Sequence, residues 1–339
     1  MNHPNIVKFI GGFRQDSKSY LIFEWADGRN LRQYWNDEMN WRRDGELIRW
    51  TLEQIHGLAS ALDNWHNFAS GSAMNGRHGD LKPENILRST RSGDIFQIAD
   101  LGLAKVHSQP THIRKNPSTT ARGTLRYLSP EVHSSAPQKI SRSYDMWSMG
   151  CTILEWIVWL VYGPKEFIGF QDDCFPTELE QFFELLEDGT PVIRRKIMWW
   201  IGRMENDSLR SDEKCISGAL RDLMLFVRDR LLVPASRDEG SGSSDVLTKD
   251  SSASGVEVRL VPAVESLSMG AGRARSGELC KKLGDLVAAD TRRGNYMFNP
   301  HVVISAAKSA GSFQRSGGDL LKPNHRGTTR VEVNGPAGD

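Results

Sequence analysis

Apolar residues fall first into two short runs and then into helical stripes. Ile6 to Phe13 and Ser19 to Trp25 flank the polar, turn-forming stretch RQDSK, and together they predict a hairpin of two strands. From Leu31 the spacing becomes helical. Over Glu46 to Phe68, residues Leu47, Trp50, Ile55, Leu58, Ala59, Leu62 and Trp65 form one stripe of a long amphipathic helix, a face wide enough to demand a large packing partner. The loop-like ASGSAMNGRHGDLKPEN follows, and then Ile86 to Leu87 and Phe96 to Ala99 bracket a turn at Ser92-Gly93-Asp94, predicting a second, smaller hairpin. Helical patterns resume after Pro130 and are expected to continue through Arg230. The most apolar stretch, MGCTILEWIVWLVYG from Met149 to Gly163, is interrupted by Glu155 and is shorter than the roughly 20 residues a membrane-crossing helix needs. It reads as a buried core helix.

The pattern changes at Pro234. From there to Gly272 the chain is mostly Ser, Gly and isolated charges, which bury too little apolar area to offset the entropy of ordering, so a disordered insertion is expected. A helical pattern returns from Gly272 to Val287, and after Asp290 a polar, Gly-rich stretch predicts a flexible tail. Tryptophans Trp50, Trp65, Trp147, Trp156 and Trp159 sit at helical spacing beside other apolar residues and are expected in the core, whereas of the adjacent Trp199 and Trp200 at least one should face outward.

Composition adds exclusions. Among 339 residues, 43 Lys and Arg balance 42 Asp and Glu for a net charge of +1, so no global field points to nucleic acid or to an anionic membrane. Cys151, Cys174, Cys215 and Cys280 form no CxxC pair, which fits a reducing compartment better than a disulfide framework or a zinc site. The N-terminal MNHPNIVKFI lacks a basic region followed by a long apolar run, so a cytoplasmic or nuclear location is expected.

The densest chemical signal is HGDLKPENIL, His78 to Leu87, with IADLGLAKV, Ile98 to Val106, close behind it. Transfer of a phosphoryl group from a nucleotide needs a carboxylate near the attacking hydroxyl, oxygen ligands for Mg²⁺ and a cation near the transferring phosphate, and these two segments hold all three. They resemble the catalytic loop H-R-D-L-K-x-x-N and the metal loop D-F-G of the protein kinase family. RGTLRYLSPEV, Arg122 to Val132, is similar to the end of that family's activation segment, and DMWSMG, Asp145 to Gly150, to the start of its central buried helix. HPNIV, His3 to Val7, and LIFEWADG resemble the fourth and fifth strands of the family's small lobe and its hinge.

The resemblance implies an α+β, protein kinase-like fold: a mainly helical C-terminal lobe with remnant strands of the N-terminal lobe. It implies a division into a small-lobe remnant and hinge (1–26), the large lobe (27–233), an insertion (234–271), the last helix of the lobe (272–289) and a tail (290–339). By the same resemblance Asp80 is the catalytic base, Lys82 steadies the γ-phosphate, Asn85 and Asp100 hold Mg²⁺, and Thr124 hydrogen-bonds Asp80 and Lys82. Backbone groups of Glu24 and Ala26 meet the adenine of ATP, Leu87 forms part of its floor and Phe23 is the gatekeeper. Leu101 replaces the family's usual phenylalanine, and His78 is a packing residue and not a base. Asp145 holds backbone amides of the catalytic loop, and Glu131 needs a buried cation, for which Arg273 is preferred to Arg237.

By the same resemblance, Lys82 and Thr124 imply protein serine and threonine hydroxyls as acceptors, since the family's tyrosine-directed members generally differ at these places. Gly79 stands where the family usually has an arginine, which makes control by activation-segment phosphorylation at Ser118, Thr119 or Thr120 a weak expectation. The family's glycine-rich loop, third-strand lysine and helix glutamate have no counterpart in the chain, so it reads as an N-terminally truncated catalytic domain of doubtful activity. Two other classes stay open at this point. One is a catalytically impaired, pseudokinase-like binding module. The other is a small-molecule phosphotransferase with an H-G-D-x-x-x-x-N loop, against which Lys82, GTLRYLSPE and DMWSMG speak.

Overall fold

The computed structural model describes residues 2–42, 44–67, 75–100, 105–107, 124–133, 141–209, 217–234 and 272–293, all within one compact unit, Met1–Val302. Expectations for Leu101, Ser118 to Thr120, Arg122, Cys215, Arg237, most of the insertion and the tail beyond 293 fall outside the described residues. In chain order the elements are β1 (Phe9–Gln15), β2 (Lys18–Phe23), α1 (Leu31–Trp35), α2 (Gly45–His66), β3 (Asn75–Arg77), β4 (Ile86–Ser89), β5 (Ile95–Ile98) and β6 (Lys105–His107). They continue with α3 (Ser143–Cys174), β7 (Phe183–Leu185), β8 (Pro191–Ile193), α4 (Arg195–Leu209), α5 (Gly218–Phe226) and α6 (Ser276–Arg293). The strands form four antiparallel pairs, β1–β2, β3–β6, β4–β5 and β7–β8. A helical body with small hairpins is the arrangement expected of a kinase large lobe with remnant small-lobe strands.

Helix α3 organises the core. Every residue from Tyr144 to Val161 is buried, as an all-round apolar helix must be. The helix breaks at Gly163, whose φ of 82° lies in the left-handed region, immediately before Pro164, which cannot supply an N–H to continue the ladder. Trp147, Trp156 and Trp159 are all fully buried. Helix α2 is capped by Asp44, whose Oδ1 accepts from Leu47 N at 2.7 Å. It buries Leu47, Leu52, Ile55, Leu58, Ala59 and Leu62, while Trp50 and Trp65 from the expected stripe are only half-buried. Helix α6 packs along α2 and buries Leu279, Leu283 and Leu286. It begins later and ends further on than the Gly272 to Val287 pattern suggests. Trp200 is buried and Trp199 exposed, the division their adjacency implies.

Two expectations are corrected. The first hairpin is displaced along the chain: Phe9–Gln15 pairs with Lys18–Phe23 across a tight turn in which Asp16 has φ 54°. Ile6 leaves it and bridges Ile98 instead, with Val7 N donating to Ile98 O at 3.0 Å and Ile98 N to Asn5 O at 2.8 Å. An apolar run marks a strand-like segment but not its partner, and here the large lobe competes for the first residues of the run. The helical pattern after Pro130 is also not continuous. The β7–β8 hairpin interrupts it, turning at Asp188-Gly189 with Gly189 at φ 78°.

The β1–β2 hairpin exposes its apolar side chains on both faces. Phe9, Ile10, Phe13, Leu21 and Ile22 range from 45 % to 65 % exposed, and Trp25 beyond it is 79 % exposed.

Candidate functional site

The site begins with a backbone turn. Gly79 has φ 86°, a conformation that suits glycine, and this turns the N–H groups of His78 and Gly79 toward one buried carboxylate. Asp145, in the first turn of α3 and fully buried, accepts from His78 N through Oδ2 at 2.8 Å and from Gly79 N through Oδ1 at 2.9 Å. Its Oδ2 also meets His66 Nε2 at 2.8 Å, at the end of α2. Burial pushes the Asp145 carboxyl up, but the His66 contact and the backbone N–H donors outweigh it and hold the group below its ordinary value. The loop that follows is therefore anchored to the core helix by an ionised group.

Beyond the anchor, Lys82 is extended, and the 3-10 turn Pro83–Asn85 brings Asn85 back toward Asp80. Asn85 Nδ2 donates to the Asp80 carbonyl at 2.8 Å and to Asp80 Oδ2 at 3.1 Å. With its NH₂ committed to Asp80, the Asn85 oxygen Oδ1 is the atom that can serve a cation. Thr124 closes the cluster from another segment: its N–H donates to Asp80 Oδ1 at 2.9 Å and its hydroxyl lies 3.2 Å from the same oxygen. Lys82 Nζ lies 3.0 Å from Asp80 Oδ2 and 2.5 Å from Thr124 Oγ1. Partial burial pushes the Asp80 carboxyl up, yet the Thr124 N–H and Lys82 outweigh it and keep it below the usual carboxylate range.

His78 is used structurally. Its Nδ1 accepts from Asp80 N at 3.3 Å and its Nε2 lies 2.9 Å from the Ala99 carbonyl, so the ring ties two loops together. Ala99 N in turn donates to Asn85 O at 2.9 Å. Asp100 follows at once, exposed and with φ 58°, so the backbone that carries it is held through the N–H and C=O of Ala99 to Asn85 and His78. A left-handed φ at a non-glycine residue costs free energy and marks a backbone imposed by its surroundings.

The residues expected around adenine reach this site through β4. Glu24 N donates to Lys8 O at 2.9 Å, which fixes the chain as it leaves β2. Gly28 N donates to Arg88 O at 2.9 Å, and a Cβ on Gly28 would meet Arg88 atoms at 2.8 Å, so a side chain there would hold the two segments apart. Asn30 bridges Leu87, which is half-buried and also pairs with Gln97. The segment carrying Glu24 and Ala26 thus runs onto the strand that carries Leu87 and follows directly from Asn85.

Two charged clusters support these loops. Glu131 Oε1 pairs with Arg273 Nη1 at 2.6 Å, and Arg273 also donates to Ser129 Oγ, Ser143 O and Val233 O. The preference for Arg273 agrees with this geometry. Sequence reasoning missed the second cluster. Glu155, wholly buried in α3, meets Arg32 Nη2 at 3.0 Å and accepts from the Tyr127 hydroxyl at 2.7 Å, while Arg32 Nε pairs with Glu84 at 3.0 Å. The available signal was a lone glutamate inside an apolar helix, which must have a buried partner. Nothing in the sequence pattern singles out His66.

Residues 1–168 match the family model described as the protein kinase domain. The chain is 30 % identical over 160 residues to the serine/threonine-protein kinase nekl-2 of Caenorhabditis elegans, covering 46 % of this chain and 41 % of that protein. It is 30 % identical over 158 residues to human mitogen-activated protein kinase kinase kinase 5, covering 46 % of this chain and 10 % of that one. It is 30 % identical over 182 residues to the rust resistance kinase Lr10 of Triticum aestivum, covering 52 % of this chain and 27 % of that one. The matched region spans less than half the length of each of these relatives.

Proposed function

We propose that the chain is a member of the protein kinase family and that it transfers the γ-phosphoryl group of ATP to serine and threonine hydroxyls of protein substrates. The observation that carries this reading is the closed cluster of Asp80, Lys82, Asn85 and Thr124, drawn from two separate segments and bonded at 2.5–3.2 Å. The cluster joins a carboxylate, a cation and an amide side chain, groups of the kind that phosphoryl transfer requires. Asp80 orients the acceptor hydroxyl and takes its proton as the new P–O bond forms and the bond to ADP breaks. A carboxylate held this acidic is a weak base, so its main contribution is alignment of the hydroxyl. Lys82 sets its charge beside the transferring group, and Thr124 keeps both side chains in register.

Asn85 and Asp100 are the residues that would hold Mg²⁺, which when bound neutralises charge on the phosphates. Among the described residues there is no group of three or more His, Cys, Asp or Glu suited to a metal. A pair of oxygen donors without a full protein cage fits Mg²⁺, which takes one or two protein ligands and completes its shell with phosphate and water. Glu24 and Ala26 backbone groups and Leu87 are assigned to the adenine end. Among the described residues no helix is long and apolar enough to cross a membrane.

The test compares the chain with Asp80→Asn for transfer of phosphate from Mg²⁺-ATP to a generic serine/threonine protein substrate. Loss of about 100-fold or more in rate, with the fold retained, is expected when the carboxylate is removed. No transfer by the unaltered chain, or equal transfer by both, refutes the reading.

A further inference from the structure

We infer that Arg32 is a positioning residue for the candidate active site, holding the loop that carries Asp80, Lys82 and Asn85 and the segment that carries Thr124 onto one buried anchor, Glu155. The inference deepens the kinase reading and rests on it for its functional meaning, although the structural link can be tested without activity.

Four elements meet at this guanidinium. Arg32 lies in α1, which a capping box between Asn30 and Gln33 fixes at its start. Its Nε reaches Glu84 Oε1 at 3.0 Å, and Glu84 lies between Lys82 and Asn85. Its Nη2 donates to the Tyr127 hydroxyl and to Glu155 Oε2, the latter at 3.0 Å, and Tyr127 lies three residues after Thr124. Tyr127 is itself buried and donates to Glu155 Oε2 at 2.7 Å. Arg126 approaches the other Glu155 oxygen at 3.9 Å. The planar fork of one arginine thus spans both segments of the site at once, which the point charge of a lysine would not reproduce.

Stability alone is a poor reason for such a cluster. A buried ion pair gains little over well-packed apolar residues of the same volume, because desolvation of both charges offsets their attraction. This cluster is also incompletely satisfied: Arg32 Nη1 and Glu84 Oε2 are buried without a hydrogen-bond partner among the described residues. What the arrangement does supply is direction. Each bond fixes an angle as well as a distance, and together they set where the Lys82–Asn85 turn lies relative to Thr124. The four side chains of the site depend on that relation, since Thr124 reaches Asp80 and Lys82 from the second segment.

The experiment is amide hydrogen exchange by mass spectrometry on the full chain and two variants, Arg32→Met and Arg32→Met/Glu155→Leu. In Arg32→Met, exchange over residues 82–86 and 124–128 is expected to rise at least about tenfold, while α2 and α6 keep their rates. The double variant removes the stranded carboxylate and should regain thermal stability, yet leave the two segments exchanging fast. A rise spread evenly over α2, α3 and α6, no rise in the two segments, or recovery of their protection together with stability in the double variant would overturn the inference. Failure of the kinase reading would appear instead as no phosphate transfer by the unaltered chain, and the exchange result would be unaffected.

Discussion

Replacing Asp145 with asparagine tests the anchor on which the site is built. The carboxylate accepts three contacts: His78 N at 2.8 Å, Gly79 N at 2.9 Å and His66 Nε2 at 2.8 Å. Asparagine fits the same space but has a single oxygen. Placing that oxygen where Oδ2 stands keeps His78 and His66 and turns the amide NH₂ against the Gly79 N–H, which leaves a buried donor unmade at roughly 1–3 kcal/mol. The two surviving bonds change from charged to neutral acceptors and lose about 1 kcal/mol each. The expected loss is therefore about 3–5 kcal/mol, a large share of the roughly 5–15 kcal/mol by which domains are stable. Urea unfolding at neutral pH should show it as a lower midpoint with an unchanged slope.

The pH dependence has a definite sign. Asp145 is depressed below its ordinary value of 3.8 in the folded state, so its contribution is present above that pH and is lost as pH falls through the lower, folded value. The gap between the chain and Asp145→Asn should accordingly narrow in acid. A loss under about 1 kcal/mol at neutral pH would refute the reasoning, because one orphaned buried donor alone should cost that much.

Arg273→Ala strands Glu131 and removes the donors that hold Val233 O, so thermal unfolding should report a loss of about 3–5 kcal/mol. The double variant Arg273→Met/Glu131→Leu should recover much of it, and a double-mutant cycle measures the coupling. Leu21→Lys places a charge on the hairpin at a position 65 % exposed. It should change stability by less than about 0.5 kcal/mol, and light scattering should show weaker self-association because the apolar hairpin face is broken.

Local pattern determined a good part of the molecule. The apolar run of α3, the stripe of α2 and the turn residues between β4 and β5 each specify an element through neighbours only a few positions away. The loop His78 to Leu87 was legible for the same reason: the residue types and spacing that phosphoryl transfer needs lie within ten positions, and Asp100 stands a short hairpin later. Even Arg273 was accessible, since Glu131 requires a cation and the segment RARSGEL that carries Arg273 resembles the family's.

Tertiary structure decided which parts meet. Ile6 is as strand-like as Phe9, yet it bridges Ile98 because Asn5 bonds Phe96 and draws the chain onto the large lobe. Arg32 is an ordinary surface-type residue in a five-residue helix until Glu155 and Tyr127, 123 and 95 positions away in the chain, converge on it. His66 likewise gains its role only when α2 ends beside Asp145. The physical reason is common to these cases: hydrophobic patterning reports which face is buried, but the partner of a buried charge is chosen by the packing of distant segments. Burial then makes that choice strict, since an unpaired charge in the core costs several kcal/mol.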